Sequence, residues 1–109
     1  MVKHPPTSLE GLFAALADPT RLAIVERLST GPVSVSEIAE PFDTTLPAIS
    51  KHLTVLEQAG VIVRTTAGRQ RYCSLRPEAL SDAADWLNRY CAYWNDRLDA
   101  LERHLEENP

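Results

Sequence analysis

The sequence predicts a mainly α-helical domain carrying one small β-hairpin, and three observations predict it. Apolar residues recur at helical spacing in several separate segments, and helix-start signals stand before most of them. A single β-branched stretch is followed by a turn and a second extended stretch, the pattern of one hairpin. At 109 residues the chain is sized for one domain, expected to occupy residues 1–109 with residues 1–7 as a flexible tail.

Leu9, Leu12, Phe13 and Leu16 recur at i, i+3, i+4 and i+7, so a first helix, α1, is predicted from about Ser8 to Ala17. Asp18-Pro19 then reads as a start signal, because Asp18 can accept from free backbone N–H groups and Pro19 suits the first helical position. Helix α2 follows until Gly31, with Leu22, Val25 and Leu28 as its expected core stripe. Ser34-x-x-Glu37 is a capping box, which starts α3 near Val35, and Pro41 and Asp43 end it.

Thr44 or Thr45 can cap the next helix, α4, and Pro47 is tolerated in its first turn. Gly60 after Ala59 supplies a left-handed stop. The segment Thr45 to Gly60, TLPAISKHLTVLEQAG, has two faces: Ile49, Leu53 and Leu56 form an apolar stripe, and Thr45, Pro47, Ser50, Lys51 and Thr54 lie opposite. Two short helices joined by a tight turn make a helix-turn-helix, and the polar face of α4 is what a DNA-reading helix presents.

After Gly60, Val61-Ile62-Val63 reads as a strand, Thr65-Thr66-Ala67-Gly68 as a turn, and Gln70 to Leu75 as a second strand. An arginine-bearing hairpin directly after a reading helix is a wing, able to lay Arg69 and Arg71 along a sugar-phosphate backbone or into a minor groove. The fold expected is therefore a winged helix-turn-helix.

Pro77 to Leu80 reads as a helical turn, and Ser81 as the cap of a last helix, α5, from about Asp82 to Glu106, roughly 37 Å long at 1.5 Å per residue. Its apolar positions Trp86, Tyr90, Trp94, Leu98, Leu101 and Leu105 are spaced by three or four, with Leu87 and Cys91 widening the stripe. One small domain cannot cover so long a stripe, so a homodimer is expected in which α5 packs on its symmetry mate together with the α1 residues Leu9, Leu12 and Phe13.

The formal net charge of −4 looks unsuited to a nucleic-acid partner, but its distribution reverses that impression. From Thr44 to Arg76, five basic residues (Lys51, Arg64, Arg69, Arg71 and Arg76) stand against Glu57 alone, a local +4, whereas the rest of the chain carries −8. Phosphate attraction decays over a Debye length of about 8 Å at physiological salt, so the local patch decides.

Other classes fit less well. No nucleophile elbow, phosphate-binding glycine loop or paired histidine–carboxylate site is present, and His4, His52 and His104 fall on separate elements, so an enzyme is not expected. Cys73 and Cys91 show no C-x-x-C spacing, MVKHPPTS lacks an apolar signal segment, and no apolar run nears the roughly 20 residues of a membrane span. A cytoplasmic protein with no membrane partner is expected. A winged helix can also serve as a protein-interaction module, which the acidic flanks would suit.

The chain resembles the ArsR/SmtB family of bacterial winged-helix repressors. The resemblance is carried by FAALADPTRLAIVERL (Phe13 to Leu28), VSEIAEPF (Val35 to Phe42), LPAISKHLTVLEQAGVI (Leu46 to Ile62) and GRQRYCSL (Gly68 to Leu75). It implies the order α1-α2-α3-α4-β-β-α5, a homodimer through α1 and α5, and α4 in the major groove. It places groove contacts on Thr45, Leu46, Pro47, Ser50, Lys51 and His52; Thr44, Ala48, Arg64, Arg69 and Arg71 complete the expected DNA-binding set.

Ser50 can bond a base edge or a phosphate, Lys51 can neutralise a phosphate or reach guanine, and Pro47 and Ala48 offer apolar contact to a thymine methyl. His52, beside Leu53, either contacts nucleic acid or buttresses the preceding helix. Leu46 and Pro47 cannot make the bidentate adenine contact of Asn or Gln, so the base preference stays open.

The family's metal sites are not complete here. Its third-helix thiol box aligns with Val33 to Ala39, which has no cysteine or histidine and no carboxylate beyond Glu37. Its last-helix zinc site is matched by His104-x-x-Glu107, but Cys91 and Tyr93 stand where Asp and His belong. The expectation is a dimeric repressor on an inverted-repeat operator in double-stranded DNA, with no cofactor, no metal and an unknown effector. The alternatives are a thiol- or metal-responsive repressor using Cys73/Cys91 or His104/Glu107, a small apolar effector among Trp86, Tyr90, Tyr93 and Trp94, and the interaction module.

Overall fold

The computed structural model describes residues 8–108, so the tail expected at 1–7 lies outside the described residues. Five α-helices and three strands follow one another as α1 (Leu9–Leu16), α2 (Pro19–Arg27), a 3-10 turn (Leu28–Thr30), β1 (Val33–Ser34), α3 (Val35–Ala39), α4 (Leu46–Gln58), β2 (Ile62–Ala67), β3 (Gln70–Leu75) and α5 (Pro77–Glu107). This is a winged helix-turn-helix, mainly α, with a small antiparallel sheet in the order β1-β3-β2.

The starts follow from side-chain caps. Ser8, Asp18, Ser34 and Thr45 each accept from the backbone N–H three residues on, which satisfies a donor that the first helical turn leaves free. At Ser34 the first half of the capping box forms, its hydroxyl accepting from the Glu37 N–H, and the same hydroxyl donates to the Glu37 carboxylate in place of the Ser34 backbone N–H. Helix α4 ends in a Schellman turn, with Val61 N–H bonded to the Leu56 carbonyl and Gly60 N–H to that of Glu57. Gly60 sits at φ 78°, the left-handed region that this ending requires.

One core joins these elements: Leu12 and Ala15 of α1, Ile24 and Leu28, Ile38 of α3, Ile49, Leu53 and Leu56 of α4, Val61, Ile62 and Cys73 of the sheet, and Ala79 and Ala83 of α5. All three apolar positions read on α4 are completely buried. That burial fixes which face of α4 is left to solvent.

Five expectations are corrected. Leu22 is not part of the α2 stripe; it is 47% exposed, and Ile24 takes its place beside Leu28. The hairpin turn is not Thr65 to Gly68: β2 runs on through Ala67, paired with Gln70, and only Gly68 and Arg69 turn. Gly68 at φ 63° gives the first central position of a two-residue hairpin its positive φ, so no longer loop is needed. The hairpin also gains a third strand, since Val33 and Ser34 pair with Cys73 and Tyr72.

Ser81 is not a cap either, because Pro77 at the first helical positions starts α5 earlier and the helix runs unbroken for 31 residues. Finally, Leu12 is only 1% exposed within the single chain, so it belongs to the protomer core and has no surface to give a partner.

Only the first turns of α5 rest on the domain. From Leu87 onward every described residue is exposed, and the helix, about 46 Å long at 1.5 Å per residue, stretches the molecule to 68 Å along one axis.

Candidate nucleic-acid interface

The turn that opens α4 is the most accessible part of the helix-turn-helix. Thr45 caps it through its hydroxyl, which accepts from the Ala48 N–H at 3.2 Å, and Thr44, Thr45, Leu46, Pro47 and Lys51 are all exposed. Leu46 is 54% exposed, a large apolar side chain with no place in the core. Ala48 and Ser50 are half-buried at the edge of this surface.

The wing comes to the same place. Leu46 of α4, Val35 and Ser36 at the start of α3, and Arg69, Gln70 and Arg71 of the hairpin line one open hollow of about 230 Å³. Arg69 sits in the tip turn, and Arg71, exposed on β3, lines the same hollow. Two guanidinium groups therefore flank the first turn of α4.

Arg64 does not join them. It was expected to face DNA, but its guanidinium bonds the Glu57 carboxylate at 2.9 Å and the Thr54 hydroxyl at 2.9 Å, both on α4. Thr54 in turn donates to the Ser50 carbonyl at 3.0 Å, so its hydroxyl is engaged on both sides and is not a free groove contact. A part-exposed pair of this kind contributes about 0–1 kcal/mol, so its main effect is to set where the wing lies against α4.

His52 is held against α2, not against α3, the helix that precedes its own. Its Nδ1 lies 3.1 Å from the Arg21 guanidinium and 3.9 Å from the Asp18 carboxylate. A guanidinium only donates, so Nδ1 accepts and the ring proton sits on Nε2. Arg21 also donates through Nε to the Ala15 carbonyl at the end of α1. The Asp18 carboxyl is held below its ordinary value, first by the Arg21 backbone N–H that it caps and then by the Arg21 charge, against an opposing effect of burial. Sequence reasoning missed this junction, because Arg21 and His52 are 31 residues apart and only packing brings them together.

The two thiols are both free and differ sharply. Cys73 is completely buried, and burial pushes its thiol above the ordinary value despite the nearby Arg64 charge. Cys91 is exposed on α5, not packed among aromatic residues within the chain. Among the described residues, no group of three or more His, Cys, Asp or Glu side chains is gathered to hold a metal, and His104 is bonded to Asn108 at the end of α5. No helix among them is long and apolar enough to cross a membrane.

Elsewhere α1 and α5 meet through aromatic rings, Phe13 against Trp86 at 5.7 Å, and within α5 Trp86 lies against Tyr90 at 4.7 Å. Beyond them Trp94, Leu98, Leu101 and Leu105 are each more than half exposed.

Comparison with known proteins decides what this geometry belongs to. A model of the helix-turn-helix domain matches residues 16–65. The transcriptional repressor SdpR of Bacillus subtilis is 38% identical over 79 residues, covering 72% of this chain and 88% of the relative. The HTH-type transcriptional regulator Rv2034 of Mycobacterium tuberculosis is 43% identical over 78 residues, covering 72% of this chain and 73% of the relative. A crystal structure of an ArsR family transcriptional regulator superposes with a TM-score of 0.74 at 45% identity, covering 80% of this chain and 96% of that one. The chain belongs to the ArsR/SmtB family. As an ArsR/SmtB member it is a DNA-binding transcriptional regulator and not an enzyme.

Proposed function

We propose that this chain is a homodimeric repressor that reads an inverted-repeat operator with two copies of α4. The observation that carries the reading is the convergence of the exposed first turn of α4 with Arg69 and Arg71 on one hollow, a cationic seat beside a helix end shaped to enter a groove. Lys51, Arg69 and Arg71 contact phosphates, Ser50 reaches a base edge or phosphate, and Leu46, Pro47 and Ala48 lie against thymine methyl groups. Thr44 and Thr45 approach the backbone at the helix N-terminus, where N–H groups favour an anion.

The unpartnered apolar length of α5 supports the dimer. Trp86, Tyr90, Trp94, Leu98, Leu101 and Leu105, with Leu9 and Phe13 of α1, meet their copies across a two-fold axis, and that axis makes the operator an inverted repeat. DNA as partner places its work in the cytoplasm. Repression follows from occupancy of the operator and uses no cofactor of its own.

Selection of binding sequences from a pool of random duplexes tests the proposal. The expected product is an inverted repeat whose half-sites lie about one helical turn apart, roughly 34–36 Å or a multiple of it. Enrichment of a single unrepeated site, or none, contradicts it.

A further inference from the structure

The Asp18–Arg21–His52 junction lies away from the exposed first turn of α4, yet it joins three helices at one side chain. Arg21 leaves α2 and divides its donors between the Ala15 carbonyl, on the last turn of α1, and Nδ1 of His52, on α4. Asp18 fixes the base of that side chain by capping the Arg21 N–H at 3.0 Å. His52 directly follows Lys51, so the histidine held by Arg21 adjoins a residue of the reading face.

Two residues before Ala15 on the same helix, Phe13 packs against Trp86 of α5. The route from the apolar face of α5 to the reading helix therefore runs through Trp86, Phe13, the end of α1, Arg21 and His52. Each link is a ring contact, a helix or a hydrogen bond. Apart from this polar bridge, the contact of α1 with α4 is apolar core packing, which tolerates small sliding movements, whereas a bridged guanidinium fixes an angle.

We infer that Arg21 is a positioning residue that sets the angle of α4 relative to the α1–α5 face, and so fixes the distance between the two reading helices of a dimer. His52 is its acceptor on α4 and touches no DNA itself. The inference rests on the dimeric operator reading: one reading helix gains nothing from a fixed angle, but two that must enter successive grooves together do.

The test uses the full chain and the inverted repeat obtained by selection, in three versions: native spacing, one base pair added at the centre, and a single half-site. Wild-type protein is expected to prefer the native spacing over both. Arg21→Lys keeps the charge but cannot bridge Ala15 and His52. It is expected to lose about tenfold on the native repeat, within the usual range of coupling between sites, while its half-site affinity and salt dependence stay near wild type. His52→Leu removes the acceptor and should behave alike. His52→Asn places Oδ1 where Nδ1 stood and should restore the preference, a rescue that loss of stability alone would not give.

Variants that keep the wild-type ratio of native to lengthened repeat overturn the inference. So does a fall in the salt slope of His52→Asn or His52→Leu, which would make His52 a DNA contact. If Arg21→Lys does not fold, the two His52 variants decide the matter. Wild-type protein without any preference for paired half-sites would overturn the operator reading, a result distinct from variants that match a discriminating wild type.

Discussion

Single side chains here do work that their neighbours define. Asp18 caps α2 and stands beside Arg21 and His52, and its carboxyl is held below its ordinary value of 3.8. A depressed carboxylate contributes stability that is fully present above the unfolded value, near pH 3.8, and is lost as pH falls through the lower folded value. Asp18→Asn keeps a capping oxygen without the charge, so urea unfolding at stepped pH should give a wild-type advantage that is constant above about pH 4 and shrinks below it. Asp18→Ala loses the cap as well and should lower the urea midpoint further than Asp18→Asn does. Cys73 gives a second prediction at this scale. Its buried, neutral thiol should resist a thiol-specific label until the protein is unfolded, so loss of DNA binding under mild oxidant should not depend on Cys73. Caps at Asp18, Ser34 and Thr45 were legible in sequence because a cap acts three residues away. Arg64 was misread for the opposite reason: a basic side chain on a wing looks the same in sequence whether it meets a phosphate or, as here, Glu57 seven residues before it.

Among the elements, α4 shows most plainly how one pattern sets two surfaces. Burying Ile49, Leu53 and Leu56 turns Pro47 and Lys51 outward, so packing and reading are opposite sides of one periodicity. Leu53→Ala should cost about 2–5 kcal/mol in chemical denaturation, because the site is closed on every side by other buried residues. A loss below 1 kcal/mol would show that α4 is not held by this stripe. The helices were legible because their stripes are long enough to repeat. Strand β1, two residues long, has no period to read and exists only because β3 offers it an edge. The hairpin turn was placed too early since Thr65, Thr66 and Ala67 suit a loop as well as a strand; the positive φ of Gly68 lets two residues complete the turn. Helix α5 was placed too late, at Ser81, because a serine cap and a proline start compete for the same helix and Pro77 comes first.

At the scale of the molecule, the protein is a compact reading unit with a long apolar arm. The arm was legible from spacing alone, since a stripe from Trp86 to Leu105 outruns any core that so short a chain can build. Leu12 was drawn into that interface from its place on α1, but the helix turns Leu12 to the core and leaves Phe13 beside Trp86. Trp94, 60% exposed, lies at the middle of the bare stripe. Trp94→Glu should sediment as a monomer where the wild type is a dimer, with half-site binding largely kept and the gain from a second half-site lost. The charge asymmetry belongs to the same scale, because a chain of net −4 concentrates +4 between Thr44 and Arg76, the segment proposed to meet DNA.

The central claim is that two copies of this reading surface sit on phosphates through Lys51 and the wing. The most direct measurement is the binding constant for the selected inverted repeat across a range of salt concentrations, for wild type and for Lys51→Ala with Arg69→Ala. Four lost phosphate contacts per dimer, at about 0.9 each, should make the log–log slope less steep by about 3.6 and weaken binding to every sequence alike. An unchanged slope with weakened binding, or wild-type binding indifferent to salt, would contradict the account.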